Sequence, residues 1–144
     1  MITVSDLLRG KGEQVWSVKT SDSLGEALML LKEKDVGALP VMENGKLTGI
    51  FSERDFARAM AKNPKLSLET PICDLMTSDV LSVKPSDSVE TCMKLMTEHH
   101  IRHLPVMDGD MMVGIVSIGD AVKRFVTDQK SFIASLEDYI SGRW

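Results

Sequence analysis

VKTSDSLGEALMLLKEKDVGALPVMENGKLTGIFSERD (18–55) lies without a gap over VKPSDSVETCMKLMTEHHIRHLPVMDGDMMVGIVSIGD (83–120). The offset is 65 residues throughout, and 15 of the 38 aligned pairs are identical: Val18, Lys19, Ser21, Asp22, Ser23, Leu30, Glu33, Leu39, Pro40, Val41, Met42, Gly49, Ile50, Ser52 and Asp55, each with its partner 65 later. Chance would give only a few. DLLRGKGEQVWSV (6–18) likewise answers DLMTSDVLSV (74–83), with three extra residues in the first copy. The chain is a duplication. Two copies are too few for a solenoid, so a closed pseudo-twofold pair is the natural packing.

Each copy reads alike. SDS (21–23 and 86–88) offers N-cap hydroxyls and carboxylates, and Ser23 with Glu26 fits a capping box. A helix follows, about 22–34 and 87–99. Leu24, Ala27, Leu28 and Leu31 share one face in the first copy, as do Val89, Cys92, Met93 and Met96 in the second. Residues 37–42 read as a strand whose Pro40 points to a sheet edge or a bulge. Asn44-Gly45 and Asp108-Gly109 are hairpin turns, with return strands at 47–51 and 112–116. Second helices run over about 53–62 and 119–127. The predicted unit is a short strand, helix, strand, hairpin, strand and helix, made twice: repeat 1 over 1–62, a linker at 63–71, repeat 2 over 72–127 and a tail at 128–144.

Composition bounds the function. Of 144 residues, 43% are apolar, too many for a disordered chain. A net charge of -4 spread along the chain argues against a nucleic-acid-binding surface. MITVSDLLRG lacks the basic start and apolar run of a signal peptide, and ALMLL (27–31) is far too short to span a bilayer. Cys73 and Cys92 have no metal-type spacing and read as small core residues in a reducing compartment, a disulfide being the weaker option. These features place the chain in the cytoplasm.

The β-α-β-β-α order, the LPV strand, the NG or DG turn and the G-h-x-S-x-x-D ending (h, apolar) resemble a CBS domain, the module first defined in cystathionine β-synthase. Two in tandem resemble a CBS pair, or Bateman module. The resemblance covers about residues 4–127 and implies an α+β fold of two CBS repeats. With only the tail beyond the pair, the chain looks like a stand-alone CBS-pair protein.

Ser52-x-x-Asp55 and Ser117-x-x-Asp120 admit two roles. As helix N-terminal boxes they place a hydroxyl at N-cap and a carboxylate at N3. As ligand sites they sit where a strand feeds a helix N-terminus, whose N–H groups can receive phosphate. A carboxylate one turn in can accept both hydroxyls of a ribose. Gly49 and Gly114, without side chains, would let backbone approach a ligand closely. The resemblance implies that Ser52 and Ser117 meet phosphate and that Asp55 and Asp120 hold the ribose diol. The two roles are compatible.

The two sites differ. Copy one has Arg54 beside Asp55 and Arg58 one turn on, cations that can neutralise phosphate; copy two has Gly119 at the Arg54 position. Copy two instead carries Arg102 and His103 before its LPV strand. There the resemblance implies phosphate contacts, with solvated surface residues as the alternative. It also implies that the base lies near Lys19-Thr20 and Lys84-Pro85, with Ala38 and His103 at the strand starts, and that Thr77 is a further phosphate contact. Adenine as the base rests on the resemblance alone.

Other patterns carry less. His99, His100 and His103 form HHxxH, but a helix ending near 99 and a strand starting near 101 break the helical spacing a metal site needs. GKG (10–12) lacks the spacing of a phosphate loop. The ten methionines read as adaptable core filling, and no nucleophile has a general base nearby. Residues 129–141 read as an amphipathic helix with Phe132, Ile133, Leu136, Tyr139 and Ile140 on one broad face and Gly142 at its end. That face covers either its own domain or a dimer neighbour. Trp16 and Trp144 read as packing residues. The sequence therefore points to a regulatory module, not an enzyme. Its ligand would be an adenosyl compound (AMP, ADP, ATP, NAD or S-adenosylmethionine), with no catalytic cofactor and no metal. It would form a homodimer and signal through dimer shape or a partner surface. The alternative is a constitutive interaction scaffold with empty clefts.

Overall fold

A computed structural model of the chain describes residues 1–11 and 15–141. The expectations for Gly142 and Trp144, and for the side chains of Phe132 and Tyr139, lie outside what it describes. The element order is α1 (Val4–Lys11), β1 (Val18–Lys19), α2 (Leu24–Lys34), β2 (Ala38–Glu43), β3 (Lys46–Ser52), α3 (Glu53–Lys62), a 3-10 turn at Ile72–Asp74, α4 (Val89–His99), β4 (His103–Asp108), β5 (Met111–Ser117) and α5 (Ile118–Ile140). It is the duplicated α+β unit the sequence predicts. Ser23 and Ser88 cap α2 and α4, each accepting an N–H three residues on at 3.1 Å. Leu24, Ala27 and Leu31, and Val89, Cys92 and Met96, are the buried residues of those helices.

The two copies exchange their leading segments. The first core is Val18, Leu24, Ala27, Leu31, Leu39, Val41 and Phe51, and it is closed by Ile72 from the second copy's lead-in. The second core is Val83, Val89, Cys92, Met96, Leu104, Val106, Val116 and Ala121, and it is closed by Val4 and Leu7 from α1. The same backbone bonds fasten both exchanges. Ile72 N–H donates to Asp22 (2.8 Å), Cys73 to Thr20 (3.2 Å), and Leu24 back to Thr70 (2.8 Å). Val4 donates to Asp87 (2.8 Å), Ser5 to Pro85 (2.9 Å), and Val89 back to Ile2 (3.0 Å).

The sheets are a three-stranded β1-β2-β3 and a two-stranded β4-β5. Pro40 does not mark an edge, since β2 is the central strand; a bulge does follow, at Val41/Met42. The reason is local. Pro40 lies opposite Ile50, which exchanges both of its backbone bonds with Thr77 on the other side. Pro40 is therefore at a non-hydrogen-bonded position of the β2-β3 pair, and its missing donor faces β1. Strand β1 accordingly pairs only beyond it, Val18 with Val41 and Lys19 with Met42. In the second copy this strand shrinks to one bridge, Val83 to Val106.

Three expectations are corrected. The second hairpin turn is Gly109-Asp110 rather than Asp108-Gly109: Asp108 still pairs with Met111, and only Gly109 takes positive φ, the pattern of a turn with Gly first. Residues 119–127 and 129–141 are not two helices but one continuous α5, because nothing between Thr127 and Lys130 breaks helical spacing. Cys73 is exposed; only Cys92 is a core thiol, its pKa pushed up to about 11 by burial and by Asp87.

Gly49 and Gly114 also prove to serve packing. A Cβ on Gly49 would lie 2.5 Å from Met76 Sδ and 2.9 Å from the Thr77 carbonyl; one on Gly114 would lie 2.6 Å from Leu8. Each glycine makes room for the lead-in lent by the other copy. Gly49→Ala is expected to destabilise by about 1–3 kcal/mol in urea unfolding, since the Thr77 backbone cannot move aside. Gly10→Ala, in α1 with nothing within 4 Å, is expected to stabilise by about 0.5–1 kcal/mol.

Candidate functional site

Each second strand of a hairpin runs straight into a helix, and the Ser-x-x-Asp box sits at that junction. In the first copy the capping box is complete. Ser52 Oγ accepts Asp55 N–H (3.2 Å), and Asp55 Oδ2 accepts Ser52 N–H (2.9 Å) and the Ser52 hydroxyl (3.0 Å). The second copy repeats it: Ser117 Oγ accepts Asp120 N–H (3.1 Å) and Asp120 Oδ2 accepts Ser117 N–H (2.9 Å). Glu53 and Ile118, at the first helical positions, donate their N–H to the carbonyls of Gly37 (3.0 Å) and Arg102 (2.8 Å). The protein thus satisfies three N–H groups at each helix start. The helix terminus is a smaller phosphate cradle than the sequence implies, which shifts any phosphate recognition toward side chains.

The exchanged lead-ins bring a further group to each box. Thr77 Oγ1 donates to Asp55 Oδ1 at 3.1 Å. At the second box the Lys11 ammonium donates to Asp120 Oδ2 at 2.8 Å and to the Ile115 carbonyl at 3.0 Å. Ala38 pairs with Ser52 and His103 with Ser117, so both stand at the box end of their strands. His103 also reaches across to the first copy, where its ring would lie 3.1 Å from a Cβ on Gly37. Arg54 is exposed and its guanidinium donates to the His100 carbonyl, at the left-handed cap that ends α4. A cation there complements the negative helix end. Arg102 is exposed beside His103.

Lys19, Thr20 and Lys84 are not brought to the boxes. Lys19 pairs with Met42, Thr20 donates to the Met42 carbonyl, and Lys84 follows the Val83 bridge to Val106. They stand at the hairpin half of the strands, four residues from Ala38, or roughly 13 Å along β2. A groove of about 850 Å³ along α2 and Leu68 is likewise away from both boxes. Among the described residues, no group of three or more His, Cys, Asp or Glu is arranged to hold a metal ion.

Lys11 is the residue that sequence reasoning missed. GKG matches no motif, and the three-residue insertion hides the equivalence of α1 with residues 72–77. Its signal was the alignment of 6–11 with 74–79: Thr77 was singled out, and the same stretch of the first copy holds Lys11.

Electrostatics follow from these contacts. Burial would raise the Asp120 carboxyl, but the Lys11 ammonium and Ser117 outweigh it and hold it below the ordinary carboxylate value. His103 is lowered from 6.5, first by burial and then by Lys11 and Arg102, against the pull of Asp120. A depressed imidazole is stabilising when neutral, so its contribution is present above about 6.5 and is lost as pH falls below that value. The Asp120 contribution is present above 3.8 and is lost at lower pH, a separate window. The His103 ring is expected to titrate by NMR with a midpoint below 6.5. His103→Gln is expected to flatten the fall in melting temperature between about pH 7 and pH 5.

Known proteins share this architecture. The chain is 35% identical over 150 residues to the mitochondrial CBS domain-containing protein CBSX3 of Arabidopsis thaliana, spanning 97% of this chain and 72% of that protein. It superposes with a TM-score of 0.81 on the CBS-domain containing protein ATU1752 of Agrobacterium tumefaciens, at 36% identity, covering 85% of this chain and 98% of that one. With the CBS domain pair of protein MJ0100, solved in complex with 5′-methylthioadenosine and S-adenosyl-L-methionine, the TM-score is 0.79 at 27% identity, covering 89% and 98%. The family model of the CBS domain matches residues 4–62 and again 72–127, so the chain belongs to the CBS-domain family and carries two copies of the domain.

Proposed function

We propose that the chain is a regulatory module that binds an adenine nucleotide (AMP, ADP, ATP or an NAD-type ligand) in clefts between its two CBS copies, without catalysing a reaction. The observation that carries this is the pairing of each Ser-x-x-Asp box with a group from an exchanged lead-in: Thr77 at Asp55, and Lys11 at Asp120. A nucleotide with its ribose on the carboxylate and its phosphates on the facing side chains would bridge parts of both copies. Ser52, Asp55, Ser117 and Asp120 form the sugar and phosphate ends. Thr77, Lys11, Arg102 and His103 supply further polar contacts, and Ala38 is at the strand start beside Ser52. The adenosyl ligands of MJ0100 support the ligand class. Such a ligand biases the module by its different affinity for two arrangements of the copies.

A scaffold without ligands is the second reading, favoured by the completeness of the two capping boxes. Calorimetric titration of AMP, ADP, ATP, NAD and S-adenosylmethionine into wild type, Asp55→Ala and Asp120→Ala separates the two. Saturable binding lost in one folded variant and kept in the other is expected, with the titrated nucleotide recovered unchanged. A loss of about 1 kcal/mol of stability in each variant, with no ligand heat in any protein, would favour the scaffold.

The output surface we assign to α5, as a homodimer contact. This helix of 23 residues is about 34 Å long. Val122, Val126, Ile133, Leu136 and Ile140 recur at alternating spacings of four and three with Gln129 between them, and the five apolar members are exposed, Ile140 by 82%. That is the seam of a two-helix coiled coil. An antiparallel arrangement would set Lys123 near Glu137 of the partner subunit. Leu136→Glu is expected to convert a dimer to monomer in sedimentation equilibrium while leaving the melting of the CBS pair nearly unchanged.

A further inference from the structure

The two clefts meet their carboxylates differently. Asp55 accepts a neutral hydroxyl from Thr77, whereas Asp120 accepts an ammonium from Lys11. Lys11 also replaces a piece of backbone. In the first copy the Ile50 carbonyl takes the Thr77 N–H at 2.9 Å; at the matching place in the second copy the Ile115 carbonyl takes Lys11 Nζ at 3.0 Å. A side-chain ammonium on a four-carbon stem can leave that position without unpicking any backbone pairing. The side chains of Lys11 and Asp120 are 34% and 28% exposed, so a ligand can reach the pair.

From this pair we infer that Lys11 makes the second cleft selective for phosphorylated nucleosides over neutral ones. The inference rests on the nucleotide-binding function proposed above. Lys11 and the Ser117 N–H both occupy Asp120 Oδ2, so a nucleoside without phosphate whose diol spans both carboxylate oxygens must push the ammonium off Oδ2 to seat it. It thereby exchanges a charge-assisted bond for bonds from neutral hydroxyls. A nucleotide removes that cost, because its phosphate becomes the new anionic partner of Lys11 while Asp120 turns to the diol. The helix terminus cannot substitute, since three of its N–H groups are already engaged. In the first cleft Thr77 imposes no such condition.

The test uses the full chain with the first cleft disabled by Asp55→Ala, titrated with adenosine and with AMP. In that background AMP is expected to bind at least about tenfold more tightly than adenosine, the size of a single charge-assisted contact. Adding Lys11→Met is expected to weaken AMP, tighten adenosine and bring the two near parity, while Lys11→Arg keeps the preference. Independently of ligand, the Asp120 side-chain carboxyl, followed by carbon-13 NMR, is expected to titrate at higher pH in Lys11→Met. An unchanged ratio, or an Asp120 titration that does not move, overturns the inference while leaving nucleotide binding intact. No binding of adenosine, AMP or any other nucleotide titrated above to wild type or any variant overturns the proposed function, and this inference with it.

Discussion

The fold depends on an exchange. Ile72 and Val4, both fully buried, each lie in the core of the copy to which they do not belong by sequence. Neither core is complete without the loan, and full burial of such a side chain contributes about 1.5–3 kcal/mol. The same exchange explains the glycines at 49 and 114, which clear space for the lent segments, and it carries Thr77 and Lys11 to the carboxylates. Core, interface and cleft are consequences of one packing decision.

In the proposed binding mode, capping and recognition draw on the same atoms. Asp55 and Asp120 hold their helices by accepting the N-cap N–H, which fixes the carboxylate orientation before a ligand arrives. Pre-ordering of this kind lowers the entropic cost of recognition. It also spends hydrogen-bonding capacity, which under that proposal leaves selectivity to the side chains that face each box. There the copies differ: Arg54 stands against Gly119, and the group facing the carboxylate is Thr77 in one and Lys11, two places further along its lead-in, in the other.

Much of this was legible in the residues. The constant offset of 65 dictated two equal units, and the apolar spacing of Leu24, Ala27 and Leu31 placed α2 on the first core. The Ser-x-x-Asp boxes were placed at strand–helix junctions, where they stand. The exchange was not legible, because periodicity records which face of an element is apolar and not whose core receives it. Nor was α1. Thr3 and Asp6 form a reciprocal cap there, with Thr3 N–H to Asp6 Oδ2 at 2.9 Å, and an eight-residue helix follows. The second copy has Pro71 at the Thr3 position, without a side-chain cap, and only a 3-10 turn forms. The shared DL thus lies in a capped helix in one copy and in an uncapped turn in the other. Nor was the distance of Lys19, Thr20 and Lys84 from the boxes legible, because the register of β1 follows from the donor that Pro40 lacks, a tertiary consequence of the Ile50–Thr77 bridge.

The exchanged lead-ins also bear on how such a chain can arise. A polypeptide holding one copy would lack the residue that closes its core, and two such polypeptides could cure each other by trading their first segments. Joining them end to end turns a concentration-dependent trade into an intramolecular one, with an effective concentration in the millimolar range for a short connector. Once joined, the two halves no longer need to be identical. Thr3 against Pro71, and Arg9 against Thr77, are what that freedom looks like, and with it came a neutral partner for one carboxylate and a cationic partner for the other.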